Sequence, residues 1–293
     1  MHVDKISIIT LTYKNWRLLD KAIASVTNQI VDQKYQIEYL IVDDGTDDFD
    51  VDYVSSLLND TGLDYQIIVN KHNIGTVASF NNAIKKSSGD IIVPLSADDE
   101  FFYNATVNDI VAEFEKTNDL VITGLRVPMF NGIEQPPLPC KTDLKFFKDK
   151  MTLLRRIAIG GNIISGASTY YRRSIFDEVG FFDENFHLVE DYPFYLKILN
   201  NGYNIHFFNK KVIKYGTNGV SSVGKLPVSI ANDFVKCANL VLTLDCISFF
   251  EKRSVYFSRI LERNDKKKIV NIIKYPEQLI FLFCNRFLSK LLK

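Results

Sequence analysis

The sequence is short of the features that mark several common protein classes. Its four cysteines, Cys140, Cys237, Cys246 and Cys284, are scattered, and no two form a CxxC pair. That excludes a zinc ribbon and a disulfide framework, and it predicts reduced thiols in a cytosolic protein. No GxGxxG follows the first apolar run and no GxxxxGK[ST] occurs anywhere, so dinucleotide and P-loop readings lose their main support. No stretch approaches the roughly 18 apolar residues of a membrane-spanning helix. The apolar run at residues 6–11 is too short for a signal sequence and has no basic leader. Net charge is absent too, with 35 Lys and Arg against 35 Asp and Glu, but the balance is local. Eight basic residues and only Asp265 and Glu277 lie between Arg263 and Lys293, which makes that tail +6 and the rest of the chain −6. An anionic surface is the partner such a tail would suit, and a solvated charged face is the plainer alternative. Nothing in the chain points to nucleic acid.

What is present is an ordinary globular composition, 46% hydrophobic and 24% charged over 293 residues. This is enough for one large α/β domain with an appendage. Strand and helix signals alternate through the first half. β-Branched or apolar runs at 6–11, 37–42, 65–69, 91–95 and 120–123 read as strands. Helical spacing marks 15–29, 51–58, 76–86 and 107–114. The strand runs are apolar throughout, as in a parallel sheet covered by helices on both faces. After Arg126 the rhythm breaks into a proline-rich loop at 131–139, a helix at 151–157, a strand at 169–172 and a helix at 191–199. The predicted division is a domain over 1–222 and a helical region over 223–293.

Ligands of open parallel sheets bind beyond the carboxyl ends of the strands. Three of these ends are polar: Thr12-Tyr13-Lys14-Asn15, Asp43-Asp44-Gly45 and Ser96-Ala97-Asp98-Asp99. Adjacent carboxylates such as Asp98 and Asp99 repel unless a cation lies between them, and Mg²⁺ needs only one or two carboxylates besides phosphate oxygens. Read alone, the pair is better explained as a helix N-cap, and Asp-Gly as a turn. Glu190-Asp191, at the head of an apolar helix, is an N-cap or a general base tuned by burial. His187 and His206 are further acid–base candidates.

Taken in order, these segments resemble the inverting family 2 glycosyltransferases of the GT-A fold over about residues 5–222. The resemblance rests on Ser7-Ile-Ile-Thr-Leu-Thr-Tyr-Lys-Asn15, Ser25-Val-Thr-Asn-Gln29, Glu38-Tyr-Leu-Ile-Val-Asp-Asp-Gly-Thr-Asp47, Asn73-Ile-Gly75 with Asn81, Ser96-Ala-Asp-Asp99, and Val179-Gly-Phe-Phe-Asp-Glu184 followed by Glu190-Asp191. It implies a Rossmann-like, mostly parallel sheet with flanking helices. It also implies a nucleotide-sugar donor, a UDP-sugar on this reading, bound by Thr12, Tyr13, Asp44, Asn73 and Asp98. Asp98 and Asp99 would hold Mn²⁺ or Mg²⁺, and Asp191 would be the base that deprotonates the hydroxyl of a saccharide acceptor. The expected setting is bacterial surface polysaccharide synthesis, capsule or O-antigen, on a lipid-linked acceptor.

Four positions depart from the family pattern: Leu11 for a common Pro, Ser96 for the first Asp of DxD, Phe80 for a common Arg, and Gly216 for a common basic residue. Lys71 and Lys214 are candidates to compensate. Two alternatives stand beside this reading. A nucleotidyltransferase would want glycine in the loop Thr12–Asn15, which has none; a non-catalytic sugar-nucleotide or carbohydrate-binding relative is kept open by Ser96 and Phe80. From Gln278 to Lys293 the chain is amphipathic, with every charged residue basic and the polar residues on one arc of roughly 140°. Such a helix suits peripheral contact of residues 275–293 with the inner membrane face, or docking on the protein's own core.

Overall fold

The computed structural model describes residues 3–216 and 227–278. Residues 279–293, which carry most of the expected amphipathic helix, lie outside the described residues.

The chain opens with β1 (Lys5–Thr12), α1 (Leu19–Thr27), β2 (Gln36–Asp43), α2 (Val51–Leu58), β3 (Asp64–Val69), α3 (Thr76–Lys86) and β4 (Ile91–Ser96). This is the expected alternation, and the helix expected from residue 15 begins later because Trp16–Leu18 winds as a 3₁₀ turn. Next come β5 (Glu100–Phe101), α4 (Thr106–Lys116), β6 (Val121–Phe130), β7 (Ile133–Glu134), α5 (Lys150–Gly160), β8 (Thr169–Arg172), α6 (Ser174–Val179), α7 (Asp191–Asn200) and β9 (His206–Tyr215). Three helices follow, α8 (Val228–Thr243), α9 (Phe249–Val255) and α10 (Ile269–Lys274).

The sheet order is β3-β2-β1-β4-β8-β6-β9-β5, with β7 on β6. Its first four strands are parallel, as the alternation predicts. Beyond β4 the sheet is mixed. The short β8 inserts antiparallel between β4 and β6, and β9 then runs parallel to β6 across a bulge. β9 has no expected counterpart because Asn209-Lys210-Lys211 interrupts its apolar run; these three are exposed while Phe208, Val212 and Ile213 are buried.

Alternation within each buried strand sends neighbouring side chains to opposite faces. Ile9, Leu40 and Val42 join one core with α3, α5, α7 and α8, whereas Ile8, Tyr39 and Ile41 join the other with α1, α2 and α4. Each fully buried aliphatic or aromatic side chain contributes about 1.5–3 kcal/mol. α8 belongs to the first core through Cys237, Ala238 and Val241, all inaccessible to solvent. Register then fixes the site: Thr12 pairs with Asp43, Asp43 with Val69, and Leu11 with Ser96, so β1, β2 and β4 end at one level.

Candidate active site

At that level the chain turns sharply three times. Thr12 Oγ1 and the Tyr13 N–H both donate to Asn15 Oδ1, at 2.8 and 3.1 Å, and the Lys14 N–H donates to Thr46 Oγ1 at 2.9 Å. Asp43 Oδ2 closes the next turn by accepting the Thr46 N–H at 2.7 Å. Gly45, at φ +78°, lets that turn lie against the chain at His72 and Asn73; a Cβ there would sit 2.4 Å from the His72 carbonyl carbon. Asp44 is 5% exposed and ties the second turn to the third. Its Oδ1 accepts from Asn70 Nδ2, the Ile74 N–H and Ser79 Oγ, while Oδ2 accepts, among the described residues, the Gly75 N–H alone, at 2.9 Å.

Asp98 and Asp99 do not cap a helix. They form the turn between β4 and β5, and the residue ahead of α4 is Ala105. Asp99 is completely buried, and its Oδ1 accepts the Gly216 N–H at 2.9 Å. Among the described residues, the Oδ2 atoms of both aspartates are buried without a hydrogen-bond partner. Burial, reinforced by the neighbouring Asp98, pushes the Asp99 carboxyl up to about 8, against the pull of the Gly216 N–H, Ser96 and Arg126; burial also raises Asp98. An unsatisfied buried polar atom costs about 1–3 kcal/mol. A hard cation against these oxygens removes that cost, and two carboxylates are a donor set that Mg²⁺ or Mn²⁺ accepts when phosphate and water complete the shell. Among the described residues no group of three or more His, Cys, Asp or Glu converges as a metal cage.

Glu190 and Asp191 stand at the start of α7. Asp191 Oδ1 accepts the Tyr192 N–H at 2.6 Å and Oδ2 accepts Asn162 Nδ2 at 3.1 Å. Gly166 packs so close that its Cβ would lie 3.4 Å from Asp191 Oδ2. Burial raises both carboxyls. Glu190 is raised further, because Asp191 repels it, whereas the Tyr192, Gly166 and Asn162 donors hold Asp191 down. The two carboxyls therefore titrate as one coupled pair, and burial pushes both toward the protonated form.

These elements enclose a cleft of about 570 Å³. Thr12, Tyr13, Asp44, Asn73 and Asp98 line it, as do Glu190 and His187. Asp99 and Asp191 stand beside the wall rather than in it, each next to a lining neighbour, Asp98 or Glu190. His206 is elsewhere, bonded to Glu113 at 2.9 Å and near Asp119. Neither Lys71 nor Lys214 lines the cleft; Lys214 lies 4.0 Å from Glu100 beside a separate polar hollow. Among the described residues, Arg126 is a cation that acts on Asp99, and it stacks 3.9 Å from the centre of the Tyr215 ring. No motif marks Arg126, since it lies on β6, far from Asp99 in sequence. Two departures acquire reasons. Phe80 is 4% exposed and stacks on Phe182 at 5.2 Å, so it lines the cleft and belongs to the core. At Gly216 a Cβ would fall 2.2 Å from the Asp98 carbonyl oxygen, so no side chain fits there. Ser229 and Ile230 of α8, which no motif indicated, complete the wall.

Residues 7–180 match the family Glycosyl transferase family 2. An uncharacterized glycosyltransferase of Bacillus subtilis, YwdF, is 30% identical over 193 residues, 66% of this chain and 67% of that protein. An uncharacterized glycosyltransferase of Haemophilus influenzae is 26% identical over 41% of this chain and 35% of its own length. Among solved structures, S. aureus TarS residues 1–349 with UDP-GlcNAc superposes with a TM-score of 0.64 at 19% identity, covering 92% of this chain and 78% of that one. The mannosyltransferase PcManGT of Pyrobaculum calidifontis, in complex with GDP-Man and Mn²⁺, superposes with a TM-score of 0.57 at 15% identity, covering 83% and 65%. At these identities the two structures establish a shared GT-A-like fold.

Proposed function

Because the chain belongs to glycosyl transferase family 2, we propose that it moves a sugar from a UDP-sugar to a saccharide hydroxyl with inversion, at the cleft between Asp44, Asp98 and Asp191. The observation that carries this reading is the pair of buried, unpartnered carboxylate oxygens of Asp98 and Asp99 at the level where β1, β2 and β4 end. The Tyr13 ring, 39% exposed at the mouth, offers a face for the base. Asp44 Oδ2 has a lone pair left over for a base N–H. Asp98, with Asp99 beside it, would hold Mg²⁺ or Mn²⁺. Such an ion supplies Lewis-acid neutralisation of the leaving diphosphate. Asp191, whose carboxylate form the Tyr192, Gly166 and Asn162 donors favour, takes the proton of the acceptor hydroxyl as that oxygen attacks the anomeric carbon and the diphosphate leaves. The UDP and UDP-GlcNAc complexes of TarS support a uridine donor.

The acceptor is proposed to be lipid-linked, in surface polysaccharide synthesis, with the protein peripheral to the membrane. Exposed apolar side chains support membrane contact: Phe249 and Phe250 are each 68% exposed, and Ile269, Val270 and Ile273 each 73%. Arg253 joins the two groups, donating to the Lys274 carbonyl oxygen with its guanidinium 5.7 Å from the Phe249 ring. Lys266, Lys267 and Lys268 precede α10 and Lys274 ends it, a mixture that suits an anionic lipid interface. No helix among the described residues is long and apolar enough to cross a membrane.

The test of donor and metal is a melting-temperature panel of UDP- and GDP-sugars with and without Mn²⁺. One UDP-sugar should raise the melting temperature with Mn²⁺ and do so much less in Asp98→Asn. A panel that leaves the melting temperature unchanged, or an equal rise in Asp98→Asn, refutes this assignment.

A further inference from the structure

Asp233 lies on α8, 42 residues after Asp191, and is 1% exposed. Its Oδ2 accepts three consecutive backbone N–H groups: His187 at 2.9 Å, Leu188 at 2.9 Å and Val189 at 3.3 Å. Its Oδ1 pairs with Lys236 at 3.2 Å, and Lys236 donates in turn to the Asn185 carbonyl oxygen. Successive N–H groups converging on one point form an anion-binding concavity. Here the chain fills it with its own carboxylate, which these N–H groups and Lys236 hold below the usual range against the opposing effect of burial.

The segment held this way leads directly to the proposed base. His187, Leu188 and Glu190 line the cleft, and Asp191 follows. On its other side the segment meets α3, where the His187 Nδ1 would lie 2.6 Å from a Cβ on Gly75. A loop this close to the reaction needs an anchor, because loops otherwise carry the backbone freedom that misplaces catalytic groups. Asp233 is that anchor, and it comes from the helix that also contributes Ser229 and Ile230 to the cleft.

We propose that Asp233 is a positioning residue for acceptor activation, setting the backbone of residues 187–189 so that Glu190 and Asp191 meet the acceptor hydroxyl. This rests on the assignment of Asp191 as base. Asp233 also adds to the negative field on Glu190, after burial and Asp191. Other titratable or charged groups near the pair, among the described residues, include Tyr171, Tyr195, Cys237, His187, and Tyr192 with its hydrogen-bonded Arg259.

The test compares Asp233→Asn and Asp233→Ala with the full-length protein, reading amide hydrogen exchange at 187–189 together with kcat and donor KM for the sugar nucleotide chosen by the melting panel. Loss of a charged acceptor should lower kcat about tenfold in Asp233→Asn and further in Asp233→Ala. Donor KM and UDP affinity should stay near wild type, and exchange at 187–189 should quicken in the same order. A folded Asp233→Asn with wild-type exchange and kcat overturns the proposal. If neither Asp233 variant folds, Lys236→Ala serves instead: it removes the partner cation and the tie to Asn185, so exchange at 187–189 must still quicken, and unchanged exchange overturns the proposal. Asp191→Asn separates the two levels. Full activity there refutes the base assignment itself, whereas an inactive Asp191→Asn beside a normal Asp233→Asn refutes only the anchor.

Discussion

Gly216 shows how a single position can be read wrongly by pattern and rightly by geometry. The resemblance expects a basic side chain there, and its absence suggests a weakened phosphate site. In the fold, its N–H holds Asp99 while its Cα faces the Asp98 carbonyl, 2.2 Å from where a Cβ would be. Restoring the basic residue should therefore harm rather than help. Gly216→Lys is expected to lower the melting temperature, at a cost of about 1–3 kcal/mol, and to weaken Mn²⁺-dependent UDP binding in a titration. Tighter UDP binding in that variant would count against the geometry. Asp98-Asp99 teaches the complementary point. Read alone the dipeptide suggested a helix cap; it is instead a turn between two strands, which only the missing helix start at Asp99 could have revealed. Arg126 was illegible because its meaning lies wholly in a contact between β6 and the turn after β4.

At the scale of elements, the first half was readable because each unit repeats one rule, a continuous apolar strand followed by a helix with a three-and-four spacing. The predicted spans 51–58 and 76–86 coincide with α2 and α3. β9 escaped because its middle is charged and its pairing across a bulge depends on β6. The far end of the parallel strands is clamped by Glu38 of β2. Lys5 approaches it at 2.8 Å, Ser7 and Ser88 donate hydroxyls, and the Gly89 N–H donates at 3.0 Å. Burial alone would raise its pKa, but Lys5, Ser7 and Ser88 together lower it to about 2. The stabilisation is thus fully present above the ordinary glutamate value of about 4.3 and disappears as pH falls through about 2. Glu38→Gln should cost about 1–2 kcal/mol at pH 7 in denaturant unfolding, with the gap to wild type closing below about pH 3. A gap that persists undiminished at acid pH would show that the clamp does not work through charge.

For the whole molecule, the uneven charge legible in the tail finds a physical setting in the exposed apolar groups of α9 and α10. Replacing Phe249, Phe250 and Ile273 by Ser should release the protein from vesicles containing about a third phosphatidylglycerol. Melting temperature should change little, since all three side chains face solvent. Unaltered co-sedimentation of the triple variant with those vesicles would rule out this surface as the membrane contact. The amphipathic helix expected over 278–293 lies largely outside the described residues, so the contact proposed here is carried by other elements. The role of α8 was not legible at all. Its burial of Cys237, Ala238 and Val241 and its grip on residues 187–189 are tertiary facts with no local signature.

The span of the family match, residues 7–180, contains Thr12, Tyr13, Asp44, Asn73, Asp98 and Asp99 and stops short of Glu190, Asp191, Ser229 and Ile230. The cleft is therefore a joint between two stretches of polypeptide with separate duties. In the function proposed above, one grasps what is common to every turnover, the nucleotide, and the other meets whatever molecule is to be lengthened. Exchanging the second stretch between related chains should redirect the product while leaving the handle on the donor untouched.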